Sequence, residues 1–320
     1  MNTKRVSIDA QSGDFGAEVI IRGVIEAKIL THHPFIAHLC GDGPEIERVL
    51  TGLKEELEYD SSEFVIHHCK DTISSFEKRS RVWRTHTDSS IVKCITLQKE
   101  NLVDASVSAG DTAILTSAAL FMLGRKNDLK RPALAAVVPT TGKKPVLLLD
   151  VGANLNCRTE HLVSFACMGD EYMRSVFNVS SPRVALLNIG KEPSKGPVVI
   201  QEAAKALDEQ CRLLFQGYIE GNRVFSGDAD VVVCDGFAGN VLLKTCESFF
   251  ALTASVLEND PSFLNCLIKK MEILNPENYG AVPFLGVKGI VLKAHGGSSS
   301  HAFRNAVHTA LRTLESKNDH

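Results

Sequence analysis

Short apolar runs recur along this chain, and several of them end in a loop of Gly with Asn, Asp, Ser or Thr before a helical stretch begins. This order constrains the fold more than any other feature. A short continuous apolar run reads as a strand buried on both faces, and strands that alternate with helices build a parallel sheet. The runs are Arg5–Ala10, Ile36–Cys40, Phe64–Cys69, Ala105–Ser108, Ala133–Val138, Val146–Val151, Val184–Ile189 and Val231–Cys234. Helical stretches follow at Ala17–Lys28, after Gly41-Asp42-Gly43-Pro44, and from Thr112 to near Gly124. The expected fold class is α/β with a parallel-rich, doubly wound sheet. No repeat, low-complexity segment or Gly/Ser linker divides the chain. Residues 1–320 therefore read as one α/β domain, with a division into two lobes around a cleft left open. The stretch 249–274 is helical in period, has no strand beside it, and is expected to project.

Composition narrows the class. Hydrophobic residues make up 44% and charged residues 23%, as in a globular enzyme, and the formal net charge of -3 gives no sign of a nucleic-acid surface. The 9 cysteines form no C-x-x-C and no metal-ligand spacing, which fits reduced, buried thiols in a cytoplasmic chain. The opening residues lack an apolar signal core, and no stretch of 18 apolar residues is present. A cytoplasmic location is expected, with attachment to a membrane surface left open.

Five loops carry the candidate chemistry. They are Gly13-Asp14-Phe15-Gly16; Ser108-Ala109-Gly110-Asp111-Thr112; Asp150-Val151-Gly152-Ala153-Asn154; Asn188-Ile189-Gly190 with Lys195-Gly196; and Asp235-Gly236-Phe237-Ala238-Gly239-Asn240. Loops at the carboxyl ends of parallel strands line one edge of a sheet, where ligands bind. Glycines there let backbone N–H groups approach an anion, and helix N-termini add positive partial charge. Tight turns alone would call for the same residue types. G-x-G-x-x-G after the first strand, Walker A, G-x-S-x-G and H-E-x-x-H are all absent, so serine hydrolases, zinc hydrolases and standard Rossmann dehydrogenases lose support.

Read with their flanks, these loops resemble the phosphate acyltransferase family of bacterial phospholipid synthesis. The most specific stretches are RPALAAVVPT at 131–140, LLLDVGANLNCRTEHLVSFACMG at 147–169, PRVALLNIG at 182–190, ADVVVCDGFAGNVLLKT at 229–245 and FLGVKGIVLKAHGGSS at 284–299. The resemblance implies a fold like the isocitrate and isopropylmalate dehydrogenases, used without nicotinamide or any other cofactor, and a homodimer. It implies transfer of a fatty acyl group from an acyl carrier protein thioester to inorganic phosphate. The acyl phosphate would then pass to a membrane glycerol-3-phosphate acyltransferase.

Phosphate can attack a thioester directly, so such a site needs an anion seat and donors for a tetrahedral oxyanion, with no protein nucleophile and no metal. Lys195, matching a family lysine, His295 and Asn240 are the catalytic candidates. Gly13, Asp14, Ser108, Gly110, Thr112, Asn154, Asn188, Gly190, Asp235, Gly239 and Lys244 are the substrate- and phosphate-binding candidates. Three of these have an equally plain alternative: His295 as a turn residue, Lys244 as half of a surface ion pair, and Asp235 as a helix N-cap. Arg84, Ser89 and Ser90 belong to a block that is more basic in relatives, where the charge would serve phosphate or the acidic carrier protein.

The chain departs from the family at several points. Gln11-Ser12 replaces Met-Gly, Asp111 replaces Asn, Lys191 stands at a usually acidic or small position, and Ala281 replaces a Gly of a Tyr-Gly-Gly turn. A carboxylate at Asp111 would repel phosphate unless it accepts backbone N–H bonds. The 249–274 stretch is shorter than its counterpart in relatives, where it contacts membrane. Here it serves either that role or helix packing. A phosphotransacylase of short acyl-coenzyme A, a nicotinamide oxidoreductase and a non-catalytic scaffold are the competing readings.

Overall fold

A computed structural model of the protein describes residues 3–31, 34–71, 73, 81–126, 129–142, 144–209, 212–256 and 281–318. The chain forms two compact units, Met1–Asn127 with Tyr279–His320, and Asp128–Asn278.

The first unit begins β1 (Lys4–Asp9), α1 (Gly16–Leu30), β2 (Phe35–Gly41), α2 (Gly43–Leu53), β3 (Phe64–His68), α3 (Val82–Thr85), α4 (Ser90–Lys99), β4 (Ala105–Ser108) and α5 (Thr112–Ala118). A π turn, Ala119–Leu123, continues α5 and ends at Gly124. The second unit holds β5 (Ala133–Val138), β6 (Val146–Leu149), α6 (Thr159–Phe177), β7 (Arg183–Leu187), α7 (Val198–Asp208), β8 (Leu214–Ile219), β9 (Val231–Val233) and α8 (Gly236–Val256). The chain then completes the first unit with β10 (Ala281–Leu285), β11 (Ile290–Ala294) and α9 (Ser300–Asn318).

Strand order in the first unit is β3-β2-β1-β4-β11-β10, parallel apart from β10 against β11. The two faces of this sheet differ in kind. Val6, Ile8, Ala37, Leu39, Ala105 and Val107 belong to a core shared with Ile21 and Ile25 of α1 and Phe303 and Val307 of α9. The opposite face carries Ser7, Asp9, Ser106 and Ser108, all fully buried. Buried hydroxyls require partners, and α4 supplies one. Ser7 Oγ donates to Ser106 Oγ at 2.9 Å, Ser106 Oγ to Gln98 Oε1 at 2.8 Å, and Gln98 Nε2 to the Ile290 carbonyl at 3.0 Å. β1 thus alternates polar and apolar, where a continuous apolar run is the sequence expectation.

Strand order in the second unit is β5-β6-β9-β7-β8, parallel apart from β5 against β6. β6 and β9 are buried at every residue, as continuous apolar runs predict. Arg183 at the start of β7 grips Asp230 beside β9 through Nε–Oδ2 and Nη2–Oδ1 contacts of 3.0 Å each. That fork fixes where the two parallel strands begin.

Three strands escape the sequence reading. β8 is an edge strand with only its last residue buried and with Gly217 at φ +80°, so it lacks an apolar signature. β10 contains Pro283, which argues against a strand locally. β11, like β10, is short and lies in the family's closing motif. Of the expected projection, 249–256 forms the end of α8, with Phe249, Leu252 and Val256 exposed, and 257–274 lies outside the described residues. Among the described residues no helix is long and apolar enough to cross a membrane.

Candidate active site

The glycine loops divide between the two units, each set following parallel neighbours and so lying at one edge of its own sheet. In the first unit these are the loops after β1 and β4, joined by the turn after β11. In the second they follow β6, β7 and β9.

Asp9, the last residue of β1, is the fixed point of the first set. Its carboxylate is fully buried, accepts the Ser108 hydroxyl at 2.6 Å and accepts the Ser12 N–H at 3.1 Å. Burial raises its pKa above the usual carboxylate value, opposed by the hydroxyls of Ser108, Ser90 and Ser12. Ser108 Oγ in turn accepts the Gly110 N–H at 3.0 Å. The Asp14 N–H donates to the Gly296 carbonyl at 2.9 Å, which joins the Gly13 loop to the turn that follows β11. Lys293 Nζ donates to the Ala109 carbonyl at 3.3 Å and to the Ala294 carbonyl, joining the same turn to the β4 loop. His295 is exposed, and its Nδ1 accepts the Gly297 N–H at 3.1 Å. Asp111 caps α5, accepting from the N–H groups of Ala113 and Ile114 at 2.9 and 3.1 Å, with Thr112 as the first helical residue. The carboxylate that would repel phosphate therefore has backbone N–H partners.

Asp150 plays the corresponding part in the second unit. It is fully buried at the end of β6 and accepts the N–H groups of Leu134, Gly152, Ala153 and Asn154, together with Asn154 Nδ2. Burial raises its pKa as well, against the lowering effect of Asn154. Gly239 of α8 passes directly over this residue. A methyl group on Gly239 would fall inside contact distance of the Asp150 carbonyl, so only glycine lets α8 start there. Asp235 accepts the Ala238 N–H at 2.8 Å and so takes the N-cap alternative. Asn240, one turn into α8, is exposed with its carboxamide alongside Gly152.

After β7, Asn188 donates through Nδ2 to the Lys195 carbonyl at 3.0 Å, and its Oδ1 lies where a side chain at Gly196, which has φ +81°, would have to go. This arrangement folds the loop so that the Lys195 side chain lies over Gly190, while Lys195 itself stays exposed. Among the described residues its ammonium has no ion-pair partner.

These contacts engage several of the candidate residues within the protein itself. Asn154 spends its amide N–H groups on the Pro132 carbonyl and Asp150, and Asn188 spends its own on Lys195, so both shape loops. Lys244 pairs with Glu247 at 2.6 Å, the surface alternative. The backbone N–H groups of Gly110, Gly152 and Ala153 are directed at protein oxygens, whereas an open anion cradle is the expectation. Lys195, Asn240 and His295 remain as exposed polar groups. The sequence reading passes over Asp9 as a site residue and over Asp150 as the hub of its loop. Their common signal is an Asp that ends an apolar run just before a glycine loop, where it must be buried and must collect donors.

The family model described as fatty acid synthesis protein matches residues 4–318. A phosphate acyltransferase of Dictyoglomus turgidum is 37% identical over 97% of this chain and 94% of its own length. One from Campylobacter concisus is 37% identical over 98% of this chain and 95% of its own. Among solved structures, a phosphotransacetylase from Streptococcus pyogenes superposes with a TM-score of 0.69 at 16% identity, covering 98% of this chain and 94% of that one. A 4-hydroxythreonine-4-phosphate dehydrogenase from Klebsiella pneumoniae does so with a TM-score of 0.60 at 13% identity, covering 98% and 100%. These two likenesses speak to the fold, and they bear out the dehydrogenase-like α/β expectation. With family motifs, sheet topology and whole-length identity in agreement, the chain belongs to the phosphate acyltransferase family.

Proposed function

We propose that this acyltransferase takes its acyl group from an acyl carrier protein thioester and releases acyl phosphate for phospholipid synthesis. A phosphate oxygen attacks the thioester carbonyl carbon, the C–O bond forms, the C–S bond breaks, and the departing thiolate takes up a proton. Lys195 is the cation for phosphate and Asn240 a donor to the carbonyl oxygen. The observation that carries this reading is the exposure of Lys195 over Gly190, in a loop closed by the bond from Asn188 Nδ2 to the Lys195 carbonyl.

The thiols near these loops support direct attack by phosphate. Burial pushes the Cys157 thiol up to about 12 and the Cys234 thiol well above its ordinary value, so neither is a nucleophilic thiolate near neutrality. The same reading includes a homodimer, a cytoplasmic location and delivery of product to a membrane glycerol-3-phosphate acyltransferase. The decisive experiment incubates purified protein with long-chain acyl carrier protein, with and without phosphate, and with acyl-coenzyme A as an alternative donor. Acyl phosphate and free carrier thiol, formed only when phosphate is present, are the expected products. Failure of a folded protein to make them across several chain lengths would overturn the reading, and turnover confined to acyl-coenzyme A would replace the donor.

A further inference from the structure

A partly exposed aromatic stack stands on the first unit. Trp83 of α3 and Phe121 of the π turn lie with ring centroids 5.3 Å apart and planes 12° apart, and Phe121 is 58% exposed. The Arg84 guanidinium sits 4.7 Å from the Trp83 ring centre, a cation–π arrangement. Backbone bonds from Lys288 N–H to the Gly124 carbonyl at 2.9 Å and from Lys126 N–H to the Gly286 carbonyl at 2.8 Å hold a third segment beside the π turn. The segments 81–87, 119–126 and 285–290 contain Arg81, Arg84, Arg125, Lys126 and Lys288 and no Asp or Glu. Of these, Arg81, Arg84, Arg125 and Lys288 are exposed.

We propose that this face, centred on Trp83, Arg84, Phe121 and Lys288, docks the acidic acyl carrier protein, which rests on the carrier-donor reading above. Stacked aromatics with arginine are the residue types that concentrate binding energy at protein interfaces. A rim of one sign attracts an oppositely charged partner and sets its orientation. A second copy of this chain would bring like charges together on the same face, which disfavours self-association there. The position suits delivery of a thioester. α5 starts at Thr112 beside the Ser108–Gly110 loop, and Phe121 lies nine residues further on, roughly 14 Å at the rise of a helix. A partner seated on the stack can reach the loop with a flexible thioester arm while its folded body stays outside.

The test uses the full-length protein and the double variant Phe121→Glu with Lys288→Glu, neither residue belonging to the catalytic or phosphate-binding set. Binding of a carrier protein bearing a non-cleavable acyl thioether is titrated at low and high salt, and KM and kcat are measured with the thioester itself. Expected results are wild-type binding that weakens with salt, and a loss of about ten-fold or more in Kd and KM for the variant. Its kcat and melting curve should stay as in the wild type, and the single variant Lys288→Arg, which keeps the charge, should keep wild-type affinity. An unchanged Kd overturns the proposal, as does a fall in kcat at unchanged KM. Loss of binding to vesicles of anionic phospholipid with carrier affinity intact assigns the face to membrane instead. Wild-type protein that binds the thioether carrier but makes no acyl phosphate defeats the reaction while the docking stands. Wild-type protein that does not bind it defeats the docking.

Discussion

The Ser108 hydroxyl donates to the Asp9 carboxylate at 2.6 Å, so that a side chain from β4 neutralises part of the charge buried at the end of β1. Both residues come from adjacent parallel strands, and the bond sets the separation of the two glycine loops that leave them. Removing it with Ser108→Ala leaves a buried carboxylate short of a donor. The expected cost is about 1–3 kcal/mol, read from urea unfolding at neutral pH. A change under about 0.5 kcal/mol would mean that Asp9 finds another donor.

Gly239→Ala drives a methyl group into the Asp150 carbonyl and toward Cys234 Sγ. Because the clash is with backbone, α8 must shift, and a destabilisation of about 3 kcal/mol is expected. Thr245→Ala on the same helix, at an exposed position, is the control and should change stability by no more than about 0.5 kcal/mol. Equal melting temperatures for the two variants would contradict this account of the packing.

Lys195→Ala should lower phosphate-dependent turnover by on the order of 100-fold, the scale of losing one well-placed charge-stabilising group. Its exposure means that the melting temperature should not move. Near-normal turnover would remove Lys195 from the phosphate site.

Asp111→Asn keeps an N-cap on α5, since Asn accepts the same backbone N–H bonds, and it removes one negative charge. Stability should change little, and KM for phosphate should fall. Asp111→Ala, by contrast, should cost about 1 kcal/mol. A KM for phosphate that is the same in Asp111→Asn as in the wild type would show that the carboxylate lies outside the field felt by the substrate.

His38 and His67 stack across β2 and β3, with Nδ1 of His38 and Nε2 of His67 2.9 Å apart. Burial, then the neighbouring His67 and Arg5, push His38 down from 6.5 to about 4. Between those values the unfolded chain binds a proton that the folded protein refuses, so stability falls as pH drops from 6.5 toward 4. Allowing for solvent screening of a half-buried pair, the slope should be at most about 1 kcal/mol per pH unit. His38→Gln should flatten the slope in urea titrations at successive pH values. An unaltered slope would assign the acid sensitivity to other groups.

The class of fold and the places where loops matter are written in local order. Val231–Val233 and Val146–Leu149 are apolar throughout because both faces of those strands are covered, and Gly-Asx loops mark their ends. The family is legible in blocks such as residues 147–169 because a loop that must wrap its N–H groups around the buried Asp150 tolerates few residue types. Asp9, β8 and β11 are different, since their roles depend on neighbours distant in sequence. Asp9 meets Ser108 ninety-nine positions away, and Gln98 meets the Ile290 carbonyl one hundred and ninety-two away. No local pattern announces such partners. Likewise, composition can mark Asn154 and Asn188 as polar residues in glycine loops, yet only the packed backbone decides that their amides close those loops. A buried donor must be satisfied by whatever oxygen the fold brings within reach, and that choice is made in three dimensions.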